Sequence, residues 1–267
     1  MARIVTLLTD FGTRDHYVAA VKGTLLRINP QIRLVDITHE IAAHNIVQGG
    51  FVLASSFHCF PPQTIHLAVV DPGVGGKRRG LAAVSGQFFF VGPDNGIFDL
   101  VFALEPPRRV VALENSSYWL PRVSATFHAR DIFAPVAGHL SLGLPLARLG
   151  SEFPYRGTSP LAMLSREQQE VKGQVLHIDR FGNLISNILC PADFPAEELV
   201  HWEVRVADRP VLTGPLTYEQ APLAEPFALK GSCGYLEVAV RNGEAARLLG
   251  QGIGAAIVVR RKKTVRY

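Results

Sequence analysis

Short apolar runs alternate with segments of helical periodicity through the first half of the chain. Residues 4–8 are apolar and end at Thr9-Asp10-Phe11-Gly12, the pattern of a buried strand running into a loop. Residues 17–28 carry apolar side chains at helical spacing. Asn29-Pro30 stops them, because a proline pushes the residue before it out of the helical region. Residues 34–37 repeat the strand pattern and 46–57 the helical one, closed by Pro61-Pro62. Residues 64–70 read as another buried strand, ending at Asp71-Pro72-Gly73. Two short strands, 81–84 and 88–91, flank a hairpin turn at Ser85-Gly86. Pro93-Asp94-Asn95-Gly96 opens a helix through Leu104, and 131–140 read as one more helix.

Apolar strands alternating with helices predict an α/β domain with a mostly parallel sheet. Ligands of such sheets sit beyond the carboxyl ends of the strands, where Asp10 and Asp71 both fall. Residues 152–169 lack periodicity, contain Pro154, Gly157 and Pro160, and read as a linker. Beyond them come short strands with turns, at 174–178, 184–188, 202–206, 227–230, 235–240 and 255–260, with one helical stretch at 243–249. The expected organisation is an N-terminal α/β domain over 1–151, a linker, and a C-terminal β-barrel domain over 170–267.

Composition narrows the function. Hydrophobic residues make up 48% of the 267 and charged residues 19%, an ordinary globular balance. The net charge of +4 is scattered, apart from Arg260, Arg261, Lys262 and Lys263, which read as a solvated end. A nucleic-acid partner calls for a basic stripe interleaved with aromatics, so none is expected. Three widely spaced cysteines without a CxxC argue against a disulfide framework or a structural zinc. The nine histidines are dispersed and no HExxH occurs, so no metal is expected, and no nucleophile elbow is present. No apolar run is long enough for a membrane span, and Asp10 comes too early for a signal peptide, so the expected compartment is the cytoplasm.

Four clusters can carry chemistry. Asp10, on a tight loop after a strand, can accept both hydroxyls of a ribose diol or simply form an Asx turn or a helix cap. In Asp71-Pro72-Gly73-Val74-Gly75-Gly76-Lys77-Arg78 the glycines allow close backbone approach to a ligand, and Asp71 and Arg78 can face each other. The alternative is a flexible turn with a surface ion pair; the string is neither a P-loop nor a dinucleotide fingerprint. His128, in Thr126-Phe127-His128-Ala129-Arg130-Asp131, can exchange protons near neutral pH or serve as a hydrogen-bonded structural residue. In the second domain, Asp179-Arg180-Phe181-Gly182-Asn183 and Ser232-Cys233-Gly234-Tyr235-Leu236 offer groups for an amino group, a purine face and a purine edge. The first of these strings also reads as a β-turn with Gly182 at its special backbone position.

Taken in order, with Lys22-Gly23 and Pro93-Asp94-Asn95-Gly96 between them, these motifs resemble the S-adenosyl-L-methionine hydrolases, also called SAM hydroxide adenosyltransferases, relatives of the fluorinase and chlorinase. The resemblance runs from about residue 4 to about residue 260. It implies hydrolysis of S-adenosyl-L-methionine to adenosine and methionine by water attacking ribose C5′, with no cofactor. It also implies a homotrimer with sites at subunit interfaces. Asp71, Arg78 and His128 match the family's catalytic set, Asp10 its ribose contact, and Asp179 its contact to the methionine amino group. Phe181 and Asn183 match its adenine contacts, and Ser232 its methionine carboxylate contact. Ala129 departs from the His-Gly-Arg common among the hydrolases. Asp71 and Cys233 depart from the halogenating relatives, which carry an aromatic and an arginine there. A halogenase and a non-catalytic nucleoside-binding module are the alternatives to hydrolysis.

Overall fold

The computed structural model describes residues 3–157, 165–167, 170–190 and 196–262. The chain divides into two compact units, 1–159 and 160–267.

In the first unit β1 (Ile4–Thr9) leads through α1 (Tyr17–Ile28), β2 (Arg33–Thr38) and α2 (Ile46–Ser56) to β3 (Ile65–Val69). The hairpin of β4 (Gly80–Ser85) and β5 (Phe88–Pro93) follows, then α3 (Asp99–Leu104), β6 (Pro107–Ala112) and α4 (Ala134–Ser141). The sheet order is β2-β1-β3-β5-β4-β6. The β2–β1, β1–β3 and β3–β5 pairs are parallel, and β4 runs against both its neighbours. Both faces are covered, which is why the strands read as continuous apolar runs. Ile65, Leu67 and Val69 pack with Val21 and Leu25 of α1 and Val136 of α4. Ala68 and Val70 point the other way, to Leu53 of α2 and Val101 of α3.

The periodicity does not predict β6, whose opening Pro107-Arg108-Arg109 hides it. Proline is tolerated there because it is the first residue of the strand. The stretch expected as a linker begins as a fastened edge. Glu152 bridges Val111, Phe153 N–H donates to the Val110 carbonyl, and the Tyr155 hydroxyl donates to Asp99. Residues 158–164, 168 and 169 of that stretch lie outside the described residues.

In the second unit β8 (Glu170–Ile178), β9 (Leu184–Leu189), β10 (Trp202–Val206), β11 (Arg209–Thr213), β12 (Pro226–Lys230), β13 (Tyr235–Val240) and β14 (Ala256–Arg261) form a barrel, closed by the β14–β8 pairing. The short β7 (Ser165–Glu167) adds to β8. Inward side chains such as Val175, Val204, Val238 and Ile257 fill the interior, so this is a packed barrel. Helix α5 (Ala245–Leu249) ends at Gly250 in the left-handed conformation. Of the basic cluster, Arg260 pairs with Glu170 and Lys262 Nζ donates to the Val200 carbonyl, while Lys263 lies outside the described residues.

One buried titratable group belongs to the sheet. His66 pairs in register with Thr6, whose hydroxyl lies 2.8 Å from His66 Nδ1. Its ring stacks on Phe90, with centroids 5.2 Å apart, and takes edges from Phe57 and Phe60. Burial pushes its pKa down to about 3. An unfolded histidine titrates near 6.5, so between these values the unfolded chain binds more protons. The contribution of neutral His66 is present above pH 6.5 and is lost as pH falls towards 3. Denaturant unfolding at pH 7 and pH 4 should therefore show a smaller acid loss in His66→Gln than in the parent, by roughly 3 kcal/mol. Equal losses would remove His66 from the account.

Candidate active site

The loop after β3 folds back through two tight turns, Val74 N–H to the Asp71 carbonyl and Gly76 N–H to the Gly73 carbonyl. This return brings Arg78 onto Asp71. Arg78 Nε lies 2.9 Å from Oδ1 and 3.0 Å from Oδ2, and Nη2 also donates to Oδ2. The Asp71 and Arg78 side chains are 5% and 13% exposed, so this is not the surface ion pair that the sequence also allowed. The guanidinium lies over the Phe133 ring, 5.2 Å from its centroid, an attractive contact for a cation.

Arg78 Nη2 also reaches His128 Nδ1 at 3.0 Å. An arginine can only donate, so Nδ1 accepts, and the neutral imidazole carries its proton on Nε2. Burial, and then the Arg78 charge, hold the His128 pKa below its ordinary value, against the opposing pull of Asp71 and Asp131. His128 is therefore a neutral donor through Nε2 at physiological pH.

The local fold around His128 is unusual. The helix expected from 131 begins instead as a π-type turn, Ala129–Phe133. Asp131 is fully buried within this turn. Its Oδ2 accepts Ser124 N–H at 2.8 Å and its Oδ1 accepts Arg130 Nε at 2.6 Å, so it ties the preceding loop to the turn. Such turns recur at functional sites. Gly75, at φ +76°, lies against the same loop: a Cβ there would stand 2.2 Å from the Ala125 carbonyl oxygen. Only glycine lets the two segments touch.

A cavity of about 300 Å³ opens beside these groups, lined by Asp10, Phe11, Tyr17, Asp71, Val74 and His128 among others. Thr9 pairs with Val69 across the parallel β1–β3 ladder, so Asp10 and Asp71 leave adjacent strands. Because β2 and β3 lie on opposite sides of β1, this is the point where the chain's winding reverses, the usual ligand crevice of such sheets. Asp10 Oδ2 accepts His44 N–H at 2.9 Å, which leaves acceptor positions free for a diol. Phe11, Tyr17 and Phe127 form an edge-to-face wall with centroids 5.3–5.9 Å apart. Phe11 and Phe127 lie in the Asp10 and His128 motifs, but nothing in the sequence marks Tyr17 or the packing of the three rings.

In the second unit Asp179 organises its own turn. Oδ1 accepts the N–H groups of Phe181 and Asn183, and Oδ2 accepts Asn183 Nδ2, each at 2.9 Å. The turn reading is thus correct, with Gly182 at φ +79°. The turn also holds Phe181 and Asn183 on one cavity of about 710 Å³, with Tyr218, Arg241, Gly243 and Glu244. Phe181 is 73% exposed, an aromatic face free for a flat apolar ligand, while Asn183 is buried beside it. Ser232 does not line this cavity. It lies exposed on the turn between β12 and β13.

A family model for the SAM hydroxide adenosyltransferase N-terminal domain matches residues 5–150, and one for the C-terminal domain matches 173–258. The chain belongs to the SAM hydroxide adenosyltransferase family. It is 41% identical over 256 residues to the (R)-S-adenosyl-L-methionine hydrolase of Thermus thermophilus, covering 93% of this chain and 96% of that one. A fluorinase of Actinoplanes is more distant, 24% identical over 260 residues, with 86% and 85% covered. The crystal structure of an uncharacterized conserved protein from Thermotoga maritima superposes with a TM-score of 0.86 at 34% identity, covering 96% of this chain and all of that one.

For a member of this adenosyltransferase family, several site groups escaped the sequence reading. Phe133, under Arg78, is hidden in an apolar stretch. Tyr218, half-exposed, donates its hydroxyl to the buried Glu237 in the second unit. Burial, with Asp179 nearby, raises the Glu237 pKa against the Tyr218 hydrogen bond. The Asn242-Gly243 dipeptide after β13 was a readable turn signal for the Arg241–Glu244 wall of the cavity. Among the described residues no three His, Cys, Asp or Glu side chains converge as metal ligands would, and no helix is long and apolar enough to cross a membrane.

The charge order of the triad can be read by NMR titration of His128. Arg78→Ala removes a lowering influence and should raise its midpoint, whereas Asp71→Asn removes a raising one and should lower it. Shifts of the opposite sign would mean that the three groups do not interact as described.

Proposed function

We propose that the chain hydrolyses S-adenosyl-L-methionine to adenosine and L-methionine, by in-line attack of water on ribose C5′. The R configuration in its relative's name is assigned to the sulfonium of this substrate too. The observation that carries the reading is the contact of Arg78 with both Asp71 and His128. Binding alone does not require a buried carboxylate, guanidinium and imidazole to meet.

Water is a weak nucleophile and must be held at attack distance with its proton accepted. Asp71 lines the cavity, with Arg78 behind it. The carboxylate therefore presents an acceptor to the water, while the guanidinium fixes both of its oxygens. The His128 Nε2–H can donate to the water oxygen and orient its free lone pair to C5′. As the C5′–O bond forms, the C5′–S bond breaks. Its electron pair stays on sulfur, and methionine leaves as a neutral thioether. The water proton passes to Asp71 and then to solvent. No acid is needed for a sulfonium leaving group, and partial hydroxide meeting a sulfonium neutralises charge, which a water-poor site favours. Asp10 on the ribose diol and Phe181 and Asn183 on the purine would supply binding away from the reacting atoms.

The same carboxylate disfavours a halide. A bare charge 4 Å from an anion costs about 4 kcal/mol at an effective dielectric near 20. Arg78 offsets part of that, but it does not line the cavity. We further propose a metal- and cofactor-free enzyme whose partner is its small-molecule substrate, working as a cytoplasmic homotrimer; the resemblance supports the trimer, and an active monomer in sedimentation would overturn it.

The decisive assay uses labelled water and concentrated chloride. Adenosine should carry the label at its 5′ oxygen, should dominate over chlorinated nucleoside, and should form equally well after treatment with a chelator. Asp71→Asn should lower kcat by about 100-fold or more, with a smaller change in KM. Comparable halonucleoside would replace water with halide in the mechanism, and wild-type turnover in Asp71→Asn would take the proton-accepting role away from Asp71.

A further inference from the structure

Behind the Asp10 loop a file of polar side chains runs from solvent to the cavity wall. Lys22 Nζ on α1 donates to Asp36 Oδ2 on β2 at 2.6 Å. Asp36 Oδ1 lies 3.1 Å from His39 Nε2. His39 Nδ1 lies 2.8 Å from Thr9 Oγ1, at the end of β1. Thr9 Oγ1 accepts Phe11 N–H at 3.3 Å, and the His39 carbonyl accepts Gly12 N–H at 2.7 Å. The residues on both sides of Asp10 are thus tied to His39.

The file is dry at one end and wet at the other. Thr9 and His39 are 2% and 5% exposed, while the Lys22 and Asp36 side chains are 32% and 41% exposed. One tautomer fits the order of the contacts. With the proton on Nε2, His39 stands 3.1 Å from Asp36, close enough for attraction though not aligned as a hydrogen bond, and Nδ1 accepts from the Thr9 hydroxyl, which in turn accepts from Phe11. Burial opposes the Asp36 charge, but the hydrogen bond from Lys22 and the attraction of His39 outweigh it and hold the carboxyl below its ordinary pKa. Lys22 and Asp36 therefore fix the ring, and the ring fixes the loop. The Asp10 carboxylate itself is held by the single His44 N–H. Gly12, at φ +65°, takes a backbone conformation that favours glycine, with open space beside it.

We propose that His39 is a positioning residue for ribose recognition. Through Thr9 and Gly12 it sets the Asp10 carboxylate against the substrate's vicinal hydroxyls, and the Lys22–Asp36 pair locks His39 in place. The inference rests on the reading of Asp10 as the ribose contact. A two-oxygen grip on a diol tolerates only small displacements, so a loosened loop should cost selectivity for the hydroxyls more than it costs fold.

The test compares binding of adenosine and 2′-deoxyadenosine to the full-length protein by calorimetry, alongside kcat and KM for S-adenosyl-L-methionine. A hydrogen bond to a charged acceptor corresponds to about 10-fold or more, so the parent should prefer adenosine by that factor. His39→Ala should shrink the preference to about 2-fold and raise KM far more than it lowers kcat. His39→Asn, which keeps an acceptor for Thr9, should restore much of the preference, whereas His39→Leu should not. Lys22→Met, a half-exposed change that spares the core, should reduce the preference part-way and keeps the test open if the His39 variants do not fold. In an Asp10→Ala background, His39→Ala should have no further effect on the preference. Equal weakening of both nucleosides in His39→Ala, or an unchanged preference in both His39→Ala and Lys22→Met, overturns the proposal. A parent without any preference overturns both it and the Asp10 assignment. Because nucleoside binding needs no turnover, failure of the hydrolase reading would show separately, as a parent that discriminates between nucleosides but releases no methionine.

Discussion

Two parallel strands, β1 and β3, share one ladder, and their register decides where two carboxylates leave the sheet. Thr9 faces Val69, so Asp10 and Asp71 emerge side by side into loops. Helices cover both faces of the pair, which removes lateral freedom from the strand ends. The reversal of winding between these strands opens a crevice that no helix can fill. A shift of one residue in the register would turn Thr9 and the apolar positions of β3 to the wrong faces.

The charges in that crevice depend on one another. Removing Asp71 and Arg78 from water costs several kcal/mol per ion, and the forked geometry recovers it only while both partners are present. His128 joins as an acceptor, so its neutral state is part of the same balance. The arrangement is poor value as a stabilising device, because apolar side chains of similar volume would pack there without the desolvation cost. Its persistence in a cavity wall is what a reaction requires and what a core does not.

Much of this is legible in the residues. The strand ends carrying Asp10 and Asp71 stand out because strands buried on both faces read as unbroken apolar runs closed by loop residues. The barrel is legible from a run of short strands separated by turns. Three strands are not: β6 opens with Pro107-Arg108-Arg109 and β11 with Arg209-Pro210, patterns that alternation does not recognise, and the three-residue β7 falls in the stretch expected as a linker. The meeting of Arg78 with His128 has no local signal, because tertiary packing brings those segments together. The same holds for Thr9 and His39, each unremarkable in its own stretch. Ser232 shows the opposite limit: a motif in the expected order does not by itself put its side chain on the Phe181 cavity.

At Gly75 the space where a side chain would begin is already taken by the carbonyl oxygen of Ala125. The loop that bears Asp71 and the loop that bears His128 are therefore a lock and its keeper, and neither can change shape alone. For descent, this makes the two segments a single unit of inheritance despite their separation along the chain. A recombination crossover between them would pair a lock with a foreign keeper, whereas crossovers outside the pair would carry the interlock across intact.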